Sequence, residues 1–164
     1  MNLKNWLIVF SSLIILVGCS SKSGLGSLSG SDVTPEFGNI SESSIEYFTE
    51  SVGDTILFEV NKSSLQPQTI ATLQAQVQWL QQNSTIPITI EGHADEQGTR
   101  EYNLALGARR ATSVRNYLVS QGVSESRLSI VTYGKERPIE VCSMEKCWSQ
   151  NRRAITVVSG GLGG

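Results

Sequence analysis

The chain contains one histidine, His93, in 164 residues, and this scarcity limits the chemistry that it can perform. A structural zinc site needs about four ligands, and a histidine acting as general base also needs a nucleophile or bound water. The sequence holds neither Gly-x-Ser-x-Gly nor a second histidine. We therefore expect the protein to bind no metal and no cofactor and to have no enzymatic activity. His93 is more simply interpreted as a turn histidine that hydrogen-bonds the backbone; the alternative is a hydrolase in which Asp95 or Glu91 orients it.

Positive charge is also sparse. The formal net charge is -2, and no run of basic residues is longer than two. Because nucleic-acid-binding domains usually carry a basic patch or stripe, we exclude nucleic acid as a partner. The composition, 39% hydrophobic and 17% charged over 164 residues, suits one ordinary domain without internal repeats.

No apolar segment is long enough to cross a bilayer, which needs about 20 such residues. The apolar run from Trp6 to Gly18 is short and follows Lys4, as is typical of a secretory signal. Ala-x-Ala is absent, and "LVGC", Leu16 to Cys19, resembles instead the lipobox of bacterial lipoproteins. We therefore predict a signal peptide over residues 1–18 and a diacylated Cys19; the alternative, an uncleaved anchor, is disfavoured by the length.

The residues after Cys19 predict a tether. Ser20 follows in place of Asp, which resembles the outer-membrane signal of enteric lipoproteins, and the sequence as far as Ser44 is rich in Ser and Gly. Such a segment cannot bury enough surface to offset its ordering entropy. Residues 19–44 are therefore expected to form a flexible linker with an r.m.s. reach of roughly 25 to 30 Å. A folded domain over residues 45–159 and a loose tail over 160–164 complete the predicted organisation.

Periodicity within residues 45–159 predicts alternating strands and helices. Pro67 marks a first helical turn and Gly122 a helix stop. The inward stripe of the first helix consists of Ile70, Leu73, Val77 and Leu80. The predicted helices are 67–83 and 100–121, the strands are 54–60, 86–92, 127–134 and 152–159, and residues 135–151 are irregular. This order favours a two-layer α/β sandwich of α+β character, with about four strands in one sheet and two main helices packed on one face.

Two cysteines remain after Cys19, namely Cys142 and Cys147 in "CSMEKC". An exported chain meets an oxidising compartment, so a small-loop disulfide is favoured over free thiols. Closing so short a ring would contribute about 2 kcal/mol. We assign the pair no redox role.

An arginine interrupts the apolar face of the second predicted helix. The residues at intervals of four on this face are Leu106, Arg110, Val114 and Leu118. An unpaired guanidinium is costly to bury, so Arg110 must find a carboxylate or lie at the edge of a pocket. The residues alone leave open a structural salt bridge with Asp95 or Glu91 and a ligand-binding role. In the second case, Arg110→Leu should remove binding and leave the fold intact.

Asp95 lies in the turn that follows the second predicted strand and leads into the helix of Arg110. Ligands in α/β proteins often bind beyond the carboxyl ends of strands. Asp95 and Arg110 would there present opposite charges a few ångströms apart. Such a pair suits a zwitterion, because the carboxylate accepts an ammonium while the guanidinium donates two N–H groups to a carboxylate.

Several separated motifs resemble one known family. "GHADEQGTREYNLALGARRATSVRNYL" closely resembles the core motif of OmpA-like peptidoglycan-binding domains, and "IVTYGKERP" and "NRRA" follow in the family's order, so that the resemblance covers about residues 54–158. It implies an OmpA-like fold in which Asp95 and Arg110 hold the diaminopimelate of a peptidoglycan stem peptide, which is a zwitterion. Smaller contributions are implied for Phe58, for Glu59, which stands where the family has Asp, and for Asn103 and Leu106, which could equally be packing residues.

The resemblance also implies a role and partners. The role is that of an outer-membrane lipoprotein, with its domain facing the periplasm, that binds peptidoglycan non-covalently and tethers the membrane to the wall. The implied protein partners are TolB and the other components of the Tol-Pal system, which supports envelope integrity and cell division. The alternatives are a cell-wall hydrolase around His93 and a protein-interaction module whose surface includes Trp148, although packing against the disulfide explains that residue more simply.

Overall fold

A computed structural model describes residues 40–159, and their strands all belong to one sheet. The helices are α1 (Ile45–Tyr47), which continues into a π-helical turn (Phe48–Gly53), α2 (Pro67–Gln82), α3 (Arg100–Ser120) and α4 (Glu145–Asn151). The strands are β1 (Thr55–Leu57), β2 (Ile88–His93), β3 (Leu128–Gly134) and β4 (Arg153–Val158), and a 3-10 turn (Glu125–Arg127) precedes β3.

The last strand of the chain lies inside the sheet. β4 pairs antiparallel with both β1 and β2, and β2 pairs in parallel with β3, so the order is β1-β4-β2-β3. Buried side chains of α2 and α3 share one core with those of the sheet, which places both helices on one face. The predicted architecture is confirmed. Because β4 lies between β1 and β2 in the sheet, the residues at the start of β4 lie between β1 and the end of β2.

The two long helices follow the sequence signals closely. α2 begins at Pro67 as predicted, and α3 begins after Thr99, whose side chain accepts a hydrogen bond from the Tyr102 amide at 3.2 Å. Gly122, with φ +93°, follows the end of α3 and adopts a conformation that favours glycine. The inward stripe of α2 is confirmed for Leu73, Val77 and Leu80, while Ile70 is only half-buried.

All four strands differ from the prediction at their ends, β3 and β4 by one residue at one or both ends and β1 and β2 by more. β1 is shorter than residues 54–60, because the chain turns away after Leu57 and reaches Asn61 with a left-handed φ of 56°. β2 does not stop at Gly92 but continues to His93, with a register irregularity between these two residues. The irregularity marks the place where the strand leaves the sheet and enters the loop of the candidate site.

The segment predicted to be irregular contains a short helix, α4, of 7 residues. Its position depends on distant contacts, because the Trp148 indole donates to Oε1 of Glu96 at 3.1 Å. The Cys142–Cys147 disulfide is formed, with 5.8 Å between the Cα atoms, and joins the loop before α4 to the helix itself. The predicted pairing is therefore present in the structure.

The described residues begin inside the predicted linker. The Trp79 indole donates to the backbone oxygen of Glu42 at 2.7 Å, so ordered contacts start a few residues before Ile45. The predicted signal peptide, Cys19, the rest of the linker and the tail 160–164 lie outside the described residues. Within residues 40–159, none of the helices combines the length and the apolar character that a membrane crossing requires.

Candidate functional site

Asp95 lies just beyond the end of β2, as predicted, and is held by backbone contacts. The neighbouring Ala94 amide donates to the oxygen of Gly134 at 2.8 Å, which fixes the loop against the end of β3. Oδ1 of Asp95 accepts the Gln97 amide at 3.2 Å. Only 7% of Asp95 is exposed, so its negative charge is largely shielded from water and needs partners in the protein.

Arg110 is completely buried, with 0% exposure, and connects two loops. Its guanidinium donates to three backbone oxygens: Nε to Lys62 at 2.9 Å, Nη1 to His93 at 2.8 Å and Nη2 to Glu59 at 3.1 Å. The guanidinium carbon also lies 5.3 Å from the centre of the Phe58 ring, a distance at which the cation and the ring attract each other. The arginine on the apolar helix face therefore joins α3 to the β1–α2 loop and to the end of β2.

Of the two roles that the sequence suggests for Arg110, the structural salt bridge is absent from the described residues, and the ligand-binding role stays a prediction. Arg110 makes no salt bridge with Asp95, Glu91 or any other carboxylate in residues 40–159. Its guanidinium instead donates to backbone oxygens, which a leucine side chain could not do. Burial lowers the pKa of Arg110 to about 10, and the charge of nearby Asp95 opposes the shift, so the side chain stays positive at neutral pH.

The arginine that pairs with Asp95 is Arg152, a residue that the sequence analysis did not single out. Its Nη1 donates to Oδ2 of Asp95 at 3.2 Å, and its Nε donates to the Phe58 oxygen at 3.2 Å. Its two terminal nitrogens also bind the carboxylate of Glu145. Burial lowers the pKa of Arg152, but the hydrogen bonds to Glu145 and Asp95 outweigh it, so the pKa is raised overall. The signal that could have found Arg152 is the arginine pair of "NRRA" at the start of a buried strand.

Phe58 and Glu59, for which the resemblance implies smaller contributions to binding, lie beside these arginines. The Phe58 amide already donates to the Arg152 oxygen at 2.8 Å, and its ring is buried. Glu59 is half-exposed and forms a salt bridge with Lys62, three positions further along the same loop. What Glu59 gives the site is its backbone oxygen, which accepts from Arg110.

A cleft of about 360 Å³ opens between the end of β1, the start of α2 and α4. Phe58, Glu59 and Arg152 contribute to its wall, together with hydroxyl and amide side chains such as Thr69 and Gln66. The candidate site therefore has a buried group of charges and, next to it, a surface depression with mainly neutral walls.

The sequence matches the OmpA family over residues 57–154. The chain belongs to the OmpA family. Relatives named peptidoglycan-associated lipoprotein are 46% identical in Agrobacterium fabrum, over 93% of this chain and 86% of theirs, and 48% identical in Brucella melitensis, over 93% and 89%. The crystal structure of the peptidoglycan-associated lipoprotein from Burkholderia pseudomallei is 39% identical and superposes with a TM-score of 0.65, covering 67% of this chain and 95% of that one. The resemblance derived from the motifs is confirmed.

Two further predicted residues of this OmpA-family domain line the buried side of the site. Asn103 donates from Nδ2 to the Gln97 oxygen at 2.8 Å, which ties α3 to the Asp95 loop. Its Oδ1 is buried and has no hydrogen-bond partner within residues 40–159. Leu106 is buried but lies outside the main hydrophobic cluster, on the part of α3 nearer the site. Asn103 and Leu106 therefore serve at least to pack and orient this end of the OmpA-family domain.

His93 ends β2 and is 2% exposed. Neither ring nitrogen has a hydrogen-bond partner in the described part of the chain, so the expectation of a turn histidine bonded to the backbone through its ring is wrong. Burial, with the positive charges of Arg153 and Arg137, lowers the pKa of His93 to about 4. The neutral ring stands 3.7 Å from Oε2 of Glu91 without forming an ion pair at neutral pH. Residues 40–159 hold no group of three or more potential metal ligands.

We predict that His93→Phe makes the stability of the OmpA-family domain less sensitive to acid. Burial lowers the pKa of His93 from 6.5 to about 4, so below pH 6.5 the unfolded chain takes up a proton at this residue while the folded protein does not. The folded state therefore loses stability as the pH falls from 6.5 toward 4. The loss amounts to about 3 kcal/mol at most. Urea unfolding at several pH values between 7 and 4 measures it.

The phenylalanine variant has an aromatic ring at the same position and keeps the backbone oxygen that accepts from Arg110. The difference in stability between the variant and the wild type at pH 7 therefore measures the structural effect of the substitution alone. Carboxylates titrate in both proteins and cancel in the difference. Equal losses of stability in the variant and the wild type would show that His93 is not the group responsible.

Proposed function

We propose that this chain binds peptidoglycan non-covalently through the diaminopimelate of the stem peptide and tethers a membrane to the cell wall. The observation that carries the proposal is the buried carboxylate of Asp95 beside Arg152 and Arg110, beyond the end of β2. Diaminopimelate ends in an ammonium and a carboxylate on one carbon. A carboxylate and a guanidinium a few ångströms apart are complementary to that arrangement.

The names of the relatives support peptidoglycan as the ligand. The chain covers nearly nine-tenths of the length of the lipoproteins from Agrobacterium fabrum and Brucella melitensis. Asp95, Asn103 and Arg110 occupy the positions of the family's core motif. In this proposal Asp95 receives the ammonium, Arg110 fixes the loops around the ligand, and Phe58, Glu59 and Leu106 shape the site.

The fold is suited to holding two attachment points apart. The segment that leads back to Cys19 contacts Trp79 near the end of α2, whereas Gln66 and Thr69 at the start of α2 line the cleft beside Arg152. With 16 residues, α2 is about 24 Å long at 1.5 Å per residue. A lipid on Cys19 and a wall ligand at Asp95 would therefore pull on opposite ends of the domain.

Lipidation of Cys19 and sorting to the outer membrane complete the proposal. The domain would then face the periplasm, and many copies on one membrane would bind one polymeric wall. Modest single-site affinity is enough under these conditions, because each binding event raises the effective concentration for the next. We further propose TolB and other Tol-Pal components as protein partners, with a role in envelope integrity during cell division.

The test is sedimentation of the full-length protein, dissolved in mild detergent, with insoluble peptidoglycan. We expect Asp95→Asn to reduce the bound fraction at least tenfold, because a neutral amide loses the charge that attracts the ammonium. Free diaminopimelate should release the wild type. Glu136→Gln is the matched control, because it removes an exposed carboxylate that pairs with Arg100 and not with an arginine of the site.

Equal sedimentation of Asp95→Asn and the control would reject Asp95 as the ligand-binding group. Failure of the wild type to sediment would reject the proposed function itself. Release of soluble wall fragments by the wild type would favour the hydrolase alternative around His93.

A further inference from the structure

The segment that joins the predicted linker to the domain lies against the second half of α2. We call residues 40–47 the strap; they precede Phe48, whose side chain is completely buried. The Trp79 indole donates to the Glu42 oxygen of the strap at 2.7 Å. No other hydrogen bond and no salt bridge within residues 40–159 joins the strap to α2. One hydrogen bond therefore fastens the outer part of the strap to the helix.

Two depressions lie between the strap and α2. One, of about 270 Å³, has Glu42 and Tyr47 on the side of the strap and Gln82 on the side of the helix. The other, of about 310 Å³, is lined by Ser43 of the strap and by Asn83 at the end of α2. Atoms that face such a gap lack the contacts that close packing would supply. The strap is therefore packed less closely against α2 than the core residues are against one another.

Electrostatic attraction does not strengthen this attachment. The strap carries Glu42 and Glu46, and neither forms a salt bridge in the described part of the chain. The helix offers no cation, because residues 63–90 contain no charged side chain. Apart from the bond to the indole, the strap is held by the half-buried side chains of Ile45 and Tyr47, which pack against the core.

The chain is fixed much more firmly directly after the strap. The ring centre of the buried Phe48 lies 4.7 Å from that of Trp79. Nε2 of Gln76 donates to the oxygen of Gly53 at 2.7 Å, and Oε1 of the same side chain accepts from the Thr156 hydroxyl of β4 at 2.9 Å. A pull that breaks the bond between the strap and Trp79 would therefore meet a stronger attachment at Phe48.

We propose that the strap is a releasable part of the tether, which detaches from α2 when membrane and wall are pulled apart and docks again when the tension falls. This inference rests on the proposed function, because tension requires an attachment on each side of the domain. The chain that leads to Cys19 enters the domain through the strap, so a pull on a lipid at Cys19 acts first on the hydrogen bond from Trp79 to Glu42. Release of residues 40–47 would lengthen the linker by at most about 25 to 30 Å.

The release would leave the rest of the domain folded. Local opening takes less free energy than global unfolding when it breaks few buried contacts. No hydrogen bond or salt bridge within residues 40–159 joins the strap to Asp95 or Arg110, so the proposed wall site does not depend on it. The strap stays joined to Phe48, and this high effective concentration favours its return. The tether would thus lengthen without losing the wall.

Single-molecule force spectroscopy of the unlipidated full-length protein in mild detergent tests the proposal. One handle is attached to the thiol of Cys19 and the other to a peptide tag after Gly164. We expect the wild type to extend in two steps. The first, at low force, should lengthen the chain by at most about 25 to 30 Å, and the second, when the rest of the domain unfolds, by about ten times as much.

Trp79→Phe removes the indole N–H and keeps an aromatic ring beside Phe48. At a given force, the ratio of docked to released strap should fall about fivefold in this variant, as expected for the loss of one neutral hydrogen bond. Trp148→Phe is the matched control, because it removes an indole N–H that donates to Glu96 and not to the strap. The control should leave the first step unchanged.

A single step in the wild type would overturn the inference, because the strap would then unfold together with the domain. An unchanged first step in Trp79→Phe, or an equal shift in Trp148→Phe, would overturn it as well. The long second step shows in each molecule that the variant is folded. Peptidoglycan takes no part in this measurement, so a single step leaves the proposed function standing. Failure of the wild type to sediment with peptidoglycan would instead reject the proposed function, and with it the role of the strap in the tether.

Discussion

Arg110→Leu should lower the free energy of unfolding by about 3 to 5 kcal/mol. Leucine suits the apolar neighbours on α3, but the substitution removes the guanidinium donors to the backbone oxygens of Lys62, His93 and Glu59. The Glu59 oxygen keeps one donor, the Lys62 amide. A buried acceptor without a partner costs about 1 to 3 kcal/mol. Equilibrium urea unfolding followed by circular dichroism measures the loss.

Arg109→Leu is the matched control. Arg109 is exposed, stands one position earlier on the same helix, and makes no side-chain hydrogen bond or salt bridge within residues 40–159. Its replacement should change the stability by no more than about 0.5 kcal/mol. If both leucine variants were as stable as the wild type, the three backbone contacts of Arg110 would contribute little, and a role in ligand binding alone would explain the residue better.

The expected instability changes how a binding defect at this position should be interpreted. Arg110 joins the β1–α2 loop to the end of β2, so its loss would displace Asp95 and Arg152 even without any contact between Arg110 and the ligand. Reduced wall binding by Arg110→Leu therefore does not identify a ligand contact. The substitution at Asp95 is the informative one, because it changes the charge of the site while the backbone contacts of Arg110 remain.

The sequence predicts the parts of the fold that local signals determine. α2 and α3 each repeat an apolar period over several turns and have local end signals at Pro67 and Gly122, so their bounds agree with the structure to within a residue or two. The disulfide is similarly local, since its cysteines are 5 positions apart. These features need no knowledge of the rest of the chain.

The parts that the sequence does not predict depend on distant residues. β1 ends early where the backbone of Phe58 contacts Arg152, which is 94 positions away in the chain. α4 is too short for periodicity to reveal, and Trp148 connects it to Glu96 across 52 positions. Such contacts are set by the central position of β4 in the sheet, and strand order was not readable from the pattern.

The charges of the site illustrate the same limit. The sequence correctly places Asp95 just beyond β2, but it suggests a partner on the neighbouring helix. The arginine that pairs with it is 57 positions further along the chain. Arg110 was identified as anomalous on an apolar face, and its actual partners are backbone oxygens, which carry no residue-specific signal in a sequence.

Gly92→Ala should destabilise the protein by about 3 kcal/mol or more, because α3 lies directly on the sheet at this glycine. A Cβ atom at position 92 would stand 1.9 Å from the backbone oxygen of Gly107 and 2.5 Å from its carbonyl carbon. Backbone atoms cannot rotate out of the way as a flexible side chain can. The helix would have to move away from β2, and the hydrogen bond of 2.8 Å from Arg110 to the oxygen of His93, next to Gly92, would be lost or lengthened.

Gly122→Ala isolates the close approach from the general effect of adding a methyl group to glycine. Gly122 has φ +93°, but a Cβ atom there would meet only the end of the Gln81 side chain at 3.6 Å. We expect this variant to lose about 1 kcal/mol, the usual cost of a left-handed alanine. Equal losses at positions 92 and 122 in urea unfolding would mean that the spacing between α3 and the sheet adjusts freely. A much larger loss at position 92, accompanied by loss of peptidoglycan sedimentation, would mean that this contact determines how closely α3 brings Arg110 to the Asp95 loop.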